Sequence, residues 1–106
     1  MMTKSPSKKL TIYLDETEKH GTKPTYEVLM ELLYQNKIAG ASVFRGVGGY
    51  GGDGIFHTSK ILELSTSLPV KIEVVDSEEK INTLLPEISR IVTKGLIEIT
   101  DTEIIT

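Results

Sequence analysis

Six of the ten residues from Arg45 to Gly54, RGVGGYGGDG, are glycine, and no regular helix or central strand runs through such a stretch. Glycine gives up more backbone freedom on ordering than any other residue and offers no side chain to bury. The core must therefore come from the segments on either side. Within the stretch, Gly46, Gly48 and Gly51 satisfy the GxGxxG spacing of dinucleotide-binding loops. That motif works only where a helix starts directly after the glycines and turns its N-terminus toward the pyrophosphate. Here IFHTSKILEL follows with no helical stripe, and a dinucleotide-binding fold is rejected.

Before the glycines, LTIYL (Leu10 to Leu14) alternates like a strand, and DETEKHGTK follows as a polar loop. Pro24 suits the first turn of a helix, with Thr22 as a candidate cap. Val28, Leu29, Leu32 and Leu33 recur at helical spacing, so the first helix is predicted from Pro24 to Asn36. After Gly40, the β-branched and aromatic ASVFR (Ala41 to Arg45) reads as a second strand. Beyond the glycines, ILEL (Ile61 to Leu64) reads as a short strand or a helical turn, STSLP as a turn, and VKIEVVD as the third strand. Asp76 or Ser77 caps a second helix whose stripe is Ile81, Leu84, Leu85, Ile88, Ile91 and Val92. Pro86 interrupts that stripe, which predicts a kink or a restart at Leu85 to Pro86. Lys94 and Gly95 are expected to end the helix, and LIEIT starts a fourth strand running toward Ile104.

The order βαββαβ predicts an α+β, ferredoxin-like sandwich: an antiparallel four-stranded sheet with both helices on one face. Leu10, Ile12, Leu14, Val70, Ile72 and Val74 would face the helices. Tyr13, Phe44 and Val75 would make the opposite face a candidate subunit interface. A chain of 106 residues is one domain's worth; it is placed at residues 9–106, with residues 1–8, lysines and serines around Pro6, as a flexible tail. There is no cysteine, hence no disulfide, thiolate metal site or cysteine nucleophile. A net charge of −3 gives no global field for nucleic acid, and no apolar run approaches a membrane span or signal core, so the expected location is cytoplasmic.

The connection from Gly46 to the third strand exceeds twenty residues, a length that is usually functional or disordered. His57, with Thr58, Ser59 and Lys60, either satisfies loop hydrogen bonds or contacts a ligand. A metal site would need His20 or carboxylates such as Asp15, Glu16, Glu18 or Asp53 to converge on it, and spacing does not support this. A serine triad lacks a nucleophile elbow. An RNA reader would need stacking aromatics on the third strand, which VKIEVVD lacks. A phosphatase of this layout would be expected to carry an arginine in the first loop, where DETEKHGTK has only lysines. No enzyme activity is expected.

The segments GASVFRGVGGYG (Gly40 to Gly51), HTSKILELSTSLPVKIEVVDSEEKI (His57 to Ile81), LLP (Leu84 to Pro86) and KGLIEI (Lys94 to Ile99) resemble the signature of the domain of unknown function 190 family, grouped with the PII-like signalling proteins. The resemblance covers nearly the whole chain from Lys9 onward. It implies a homotrimeric sensor or regulator whose connection between strands two and three corresponds to the T-loop. By the same resemblance, an effector such as an adenine nucleotide or another anion would sit between subunits. The T-loop base maps onto Arg45, Gly46, Gly48, Gly49 and Gly51, and the loop before the last strand onto Lys94 and Gly95, with His57 as a further candidate contact. Glycines let backbone N–H groups approach an anion, arginine grips it bidentately, and lysine adds a point charge. Where basic or histidine residues are expected from the family pattern, Gly52 to Phe56 carries only Asp53 as a charge, which leaves smaller or less charged effectors open. The alternatives are a regulator that docks a protein target, such as a membrane transporter or channel, through the loop alone, or a metal-binding trimer.

Overall fold

The computed structural model describes residues 2–58 and 67–106. Its main elements are β1 (Lys4–Asp15), α1 (Thr25–Gln35), β2 (Ala41–Arg45), β3 (Pro69–Asp76), α2 (Glu78–Ile91) and β4 (Leu96–Ile105). The strands form one antiparallel sheet in the order β2-β3-β1-β4. This is the ferredoxin-like α+β arrangement that the element order predicts. Expected segment Ile61 to Leu64, and Ser59 and Lys60, lie outside the described residues.

The core forms where the period-two faces of the central strands meet the helical stripes. Leu10, Ile12 and Leu14 of β1 and Val70, Ile72 and Val74 of β3 pack against Leu29 and Leu33 of α1 and Ile81, Leu84, Ile88 and Ile91 of α2. Ser77, one of the two expected caps, starts α2 by accepting the Lys80 amide at 3.2 Å. The cap position of α1 is Pro24 and not Thr22, and its side chain makes no capping bond.

Several boundaries differ from expectation. Strand β1 starts at Lys4, so the supposed tail is paired: Lys4 lies opposite Ile105 and Ser7 opposite Thr102. Thr3 and Thr106 extend the ribbon by exchanging backbone hydrogen bonds of 2.8 and 2.9 Å. Strand β3 meets β1 only from Lys8 onward, so residues 4–7 hold to β4 alone. Lysines and serines carry no apolar alternation, and the ladder here comes from the facing strand.

Helix α2 runs through Pro86 without a restart. The carbonyl deprived of its partner belongs to Asn82, and both residues are exposed, so water can satisfy it. The helix ends at Ile91, capped by Val92, and Lys94 and Gly95 lie in the bend beyond it. The polar loop after β1 contains a short ladder, Lys19–His20 with Lys23–Pro24, turned by Gly21 at a φ of 69°.

The glycine stretch is a second short ladder, with Gly48 opposite Thr58 and Gly49 opposite His57. The connection thus leaves the sheet as a hairpin whose tip turns through a 3.0 Å bond from the Gly54 amide to the Gly51 carbonyl. No helix among the described residues is long and apolar enough to cross a membrane.

Candidate functional site

The base of the glycine hairpin is built from three chain segments that meet at the end of β1. Strand β2 ends at Arg45, and Gly46 turns away with its amide donating to the Pro69 carbonyl at 2.7 Å. A Cβ at Gly46 would come within 2.8 Å of Pro69 Cγ, so this close approach requires glycine or movement of the proline ring. Gly46 is thus set by packing, whatever it also offers a ligand.

Arg45 meets a carboxylate that the sequence reading left out of the site. Its Nε donates to Glu16 Oε2 at 2.8 Å and its Nη2 to Glu16 Oε1 at 2.9 Å, the two-pronged geometry in which guanidinium binds planar oxyanions. Glu16 Oε1 also accepts the Leu68 amide at 3.0 Å. The Arg45 hydrogen bonds, more than any other influence, hold the Glu16 carboxyl below its ordinary range. Beside it, Asp15 accepts from the Thr17 amide at 2.9 Å, from Thr17 Oγ1 at 2.7 Å and from Ser67 Oγ.

An open concavity of about 310 Å³ lies next to this pair, lined by Tyr13, Phe44, Arg45, Gly46, Pro69 and Lys71 among others. Lys71 does not offer a free charge there: it forms an ion pair with Glu73 at 3.0 Å and stands 5.2 Å from the Phe44 ring centroid. Phe44, Lys71, Tyr13 and Leu96 form one row across the four strands on the face away from the helices. Three of its members stay open, with Phe44 48%, Tyr13 40% and Leu96 57% exposed.

The second predicted contact region approaches the same end of β1 from the other side. Gly95 packs against the backbone of Tyr13, the residue whose ring lines the concavity. Lys94 lies close enough to Glu18 to act on its charge. Glu18 Oε2 is buried with no hydrogen-bond partner among the described residues, and burial raises its carboxyl above the ordinary range against the pull of the Thr25 hydroxyl and of Lys94. Thr25 Oγ1 is likewise buried, and it faces Glu18 without forming a hydrogen bond of full geometry, while the Thr25 amide donates to the Glu18 carbonyl at 2.8 Å.

Among the predicted site residues, then, Arg45 and Gly46 share the concavity, Gly48 and Gly49 form the hairpin base opposite Thr58 and His57, and Gly51 lies at the tip. Gly95 packs on the β1 backbone, and Lys94 stands near Glu18 in the loop beyond it. The His57 side chain lies outside the described part. Sequence reasoning weighed Glu16 and Glu18 only as metal ligands and missed their places beside Arg45 and Lys94. The signal was the acidic DETE directly after the first strand, where one carboxylate serves Arg45 and another stands near Lys94. Among the described residues no histidine and carboxylate group is arranged to hold a metal ion.

The profile of the domain of unknown function 190 family, described as an uncharacterized ACR, matches residues 7–104. The chain belongs to this family. It is 40% identical over 98 residues to a UPF0166 protein of Aquifex aeolicus, a match covering 92% of each chain. It is 43% identical over 96 residues to a UPF0166 protein of Methanocaldococcus jannaschii, covering 90% of this chain and 88% of that one. Among solved structures, it is similar to CPII, a nitrogen regulatory PII-like protein from Thiomonas intermedia bound to ADP, AMP and bicarbonate. That likeness has a TM-score of 0.69 and 20% identity over 96% of each chain. A putative PII-like signalling protein from Thermus thermophilus gives a TM-score of 0.68 at 14% identity, covering 95% of this chain and 91% of that one. The family member therefore has a PII-like fold.

Proposed function

We propose that this family member is a PII-like regulator, not an enzyme, that binds a small anionic effector at the base of its glycine hairpin and signals through that hairpin. The observation that carries the reading is Arg45, already holding a planar oxyanion, that of Glu16, with two bonds at the mouth of an open concavity. The ADP, AMP and bicarbonate of the Thiomonas neighbour support an adenine nucleotide or another small anion as effector. In this reading Gly46, Gly48, Gly49 and Gly51 let backbone N–H groups approach it, Lys94 supplies a second cation beside Gly95, and His57 borders the site from the other hairpin strand.

The assembly is a homotrimer that places the effector between subunits. The apolar row of Phe44, Tyr13 and Leu96 on the uncovered sheet face supports this, since a closed three-fold assembly buries such a face on every copy. Native mass spectrometry on the purified protein with ADP, AMP or bicarbonate tests both statements. Trimers carrying nucleotide or bicarbonate are expected. Monomers, or trimers that take up none of these anions, overturn the effector reading.

A second reading draws on the hairpin itself. Val47, Tyr50, Ile55 and Phe56 are 78%, 73%, 57% and 67% exposed, and the Tyr50 and Phe56 rings lie 6.2 Å apart. Such a tip suits docking to a protein target without any small molecule. Co-purification that depends on Tyr50 and Phe56 and ignores added nucleotide would favour it.

A further inference from the structure

Glu16 sits at the centre of the contacts that close the glycine connection. Its carboxylate takes both Arg45 hydrogen bonds and the Leu68 amide, and its own amide donates to the Leu68 carbonyl at 2.9 Å. Arg45 is the last residue before the connection leaves the sheet, and Leu68 is the last before it rejoins at β3. One side chain on the loop after β1 therefore ties the departing end to the returning end.

The same bonds determine what Arg45 offers a ligand. Its charge is already neutralised by Glu16, with Asp15 next in the chain, so an arriving anion meets no net positive field at this point. The guanidinium edge formed by Nε and Nη2 is filled, and it serves one oxyanion at a time. Arg45 is nevertheless reachable, its side chain 61% exposed against 19% for Glu16.

We propose that Glu16 is a latch: an effector anion takes Arg45 by displacing the Glu16 carboxylate, which then lets go of the Leu68 amide and loosens the returning end of the connection, leaving it held by the Glu16 amide and Asp15. This rests on Arg45 being the anion site, and it adds how occupancy there reaches the hairpin. Linkage makes the device reciprocal, so a partner that draws Leu68 away from Glu16 raises the affinity for the anion by the same factor.

The test uses ADP as probe on wild type, Glu16→Gln and Arg45→Ala. Removing the competing charge in Glu16→Gln should tighten ADP binding about tenfold by calorimetry, the size of one charge-assisted contact, while Arg45→Ala loses binding. In the wild type, saturating ADP should speed hydrogen exchange at the Leu68 amide, a readout that needs no variant. Equal ADP affinity in wild type and Glu16→Gln, or Leu68 exchange unchanged at saturation, overturns the latch and leaves the effector reading standing. Binding by Glu16→Gln alone supports both. Absence of ADP binding in both proteins overturns both.

Discussion

A Cβ on Gly95 would stand 2.5 Å from the Tyr13 carbonyl oxygen and 3.0 Å from both Leu14 Cδ2 and Val92 Cγ1. The nearest of these atoms is backbone in β1, one of the two inner strands of the sheet, so it cannot swing aside as a side chain can. Gly95→Ala should therefore destabilise the fold by about 1–3 kcal/mol, the usual cost of forcing an extra carbon into a packed site. Calorimetric unfolding without ligand checks this. An unchanged melting temperature would mean that the bend before β4 relaxes freely.

Glu18 should lower stability at neutral pH. Burial raises its carboxyl in the folded state, so its contribution is complete below the ordinary glutamate value of 4.5 and is lost as pH climbs through the raised value. Glu18→Gln removes that titration and should melt higher than wild type at neutral pH, with the gap closing on acidification below 4.5. The difference between the two melting curves as a function of pH isolates this group from Glu16 and Glu73. Those two have depressed values, contribute stability above the ordinary range and lose it as pH falls through the folded value. A gap that widens on acidification would contradict the assignment.

Removing residues 1–7 should cost stability. Lys4 to Ser7 pair with Thr102 to Ile105, and Ser7 is 5% exposed. The truncated protein should melt lower, and the amides of residues 102–105 should exchange faster. A mobile tail would leave both unchanged.

A charge on the open sheet face should break the proposed trimer and spare the subunit. Tyr13→Glu would sit in the row with Phe44 and Leu96, beside Glu98, which Tyr13 Oη now meets at 3.5 Å. Light scattering should show a mass shift toward monomer with circular dichroism preserved. Retention of the wild-type mass would move the interface elsewhere.

Most of the secondary structure was readable along the chain because the signals are local. Ala41 to Arg45 is strand at both expected ends, α1 agrees within a residue, and the stripe of Ile81, Leu84, Ile88 and Ile91 is the buried face of α2. Arg45 could be picked out as a cation at the edge of a glycine run, but its partner could not. Glu16 stands 29 residues earlier in a loop with three acidic residues, Asp15, Glu16 and Glu18, of equal claim.

By itself, then, the sequence determined the element order, the residues that face the helices and the position of the glycine-rich connection, since side-chain periodicity and glycine's lack of a side chain act within a few residues. Only the tertiary structure decided that residues 4–7 form a strand, that α2 passes through Pro86, and that Glu16 joins Arg45 to Leu68. Each of these depends on a group brought from elsewhere: the β4 ladder, the solvent at an exposed helix face, and a carboxylate from the loop after β1. Polar residues carry no periodic mark of such partners, because a hydrogen bond or ion pair is set by where the packed core places its two ends.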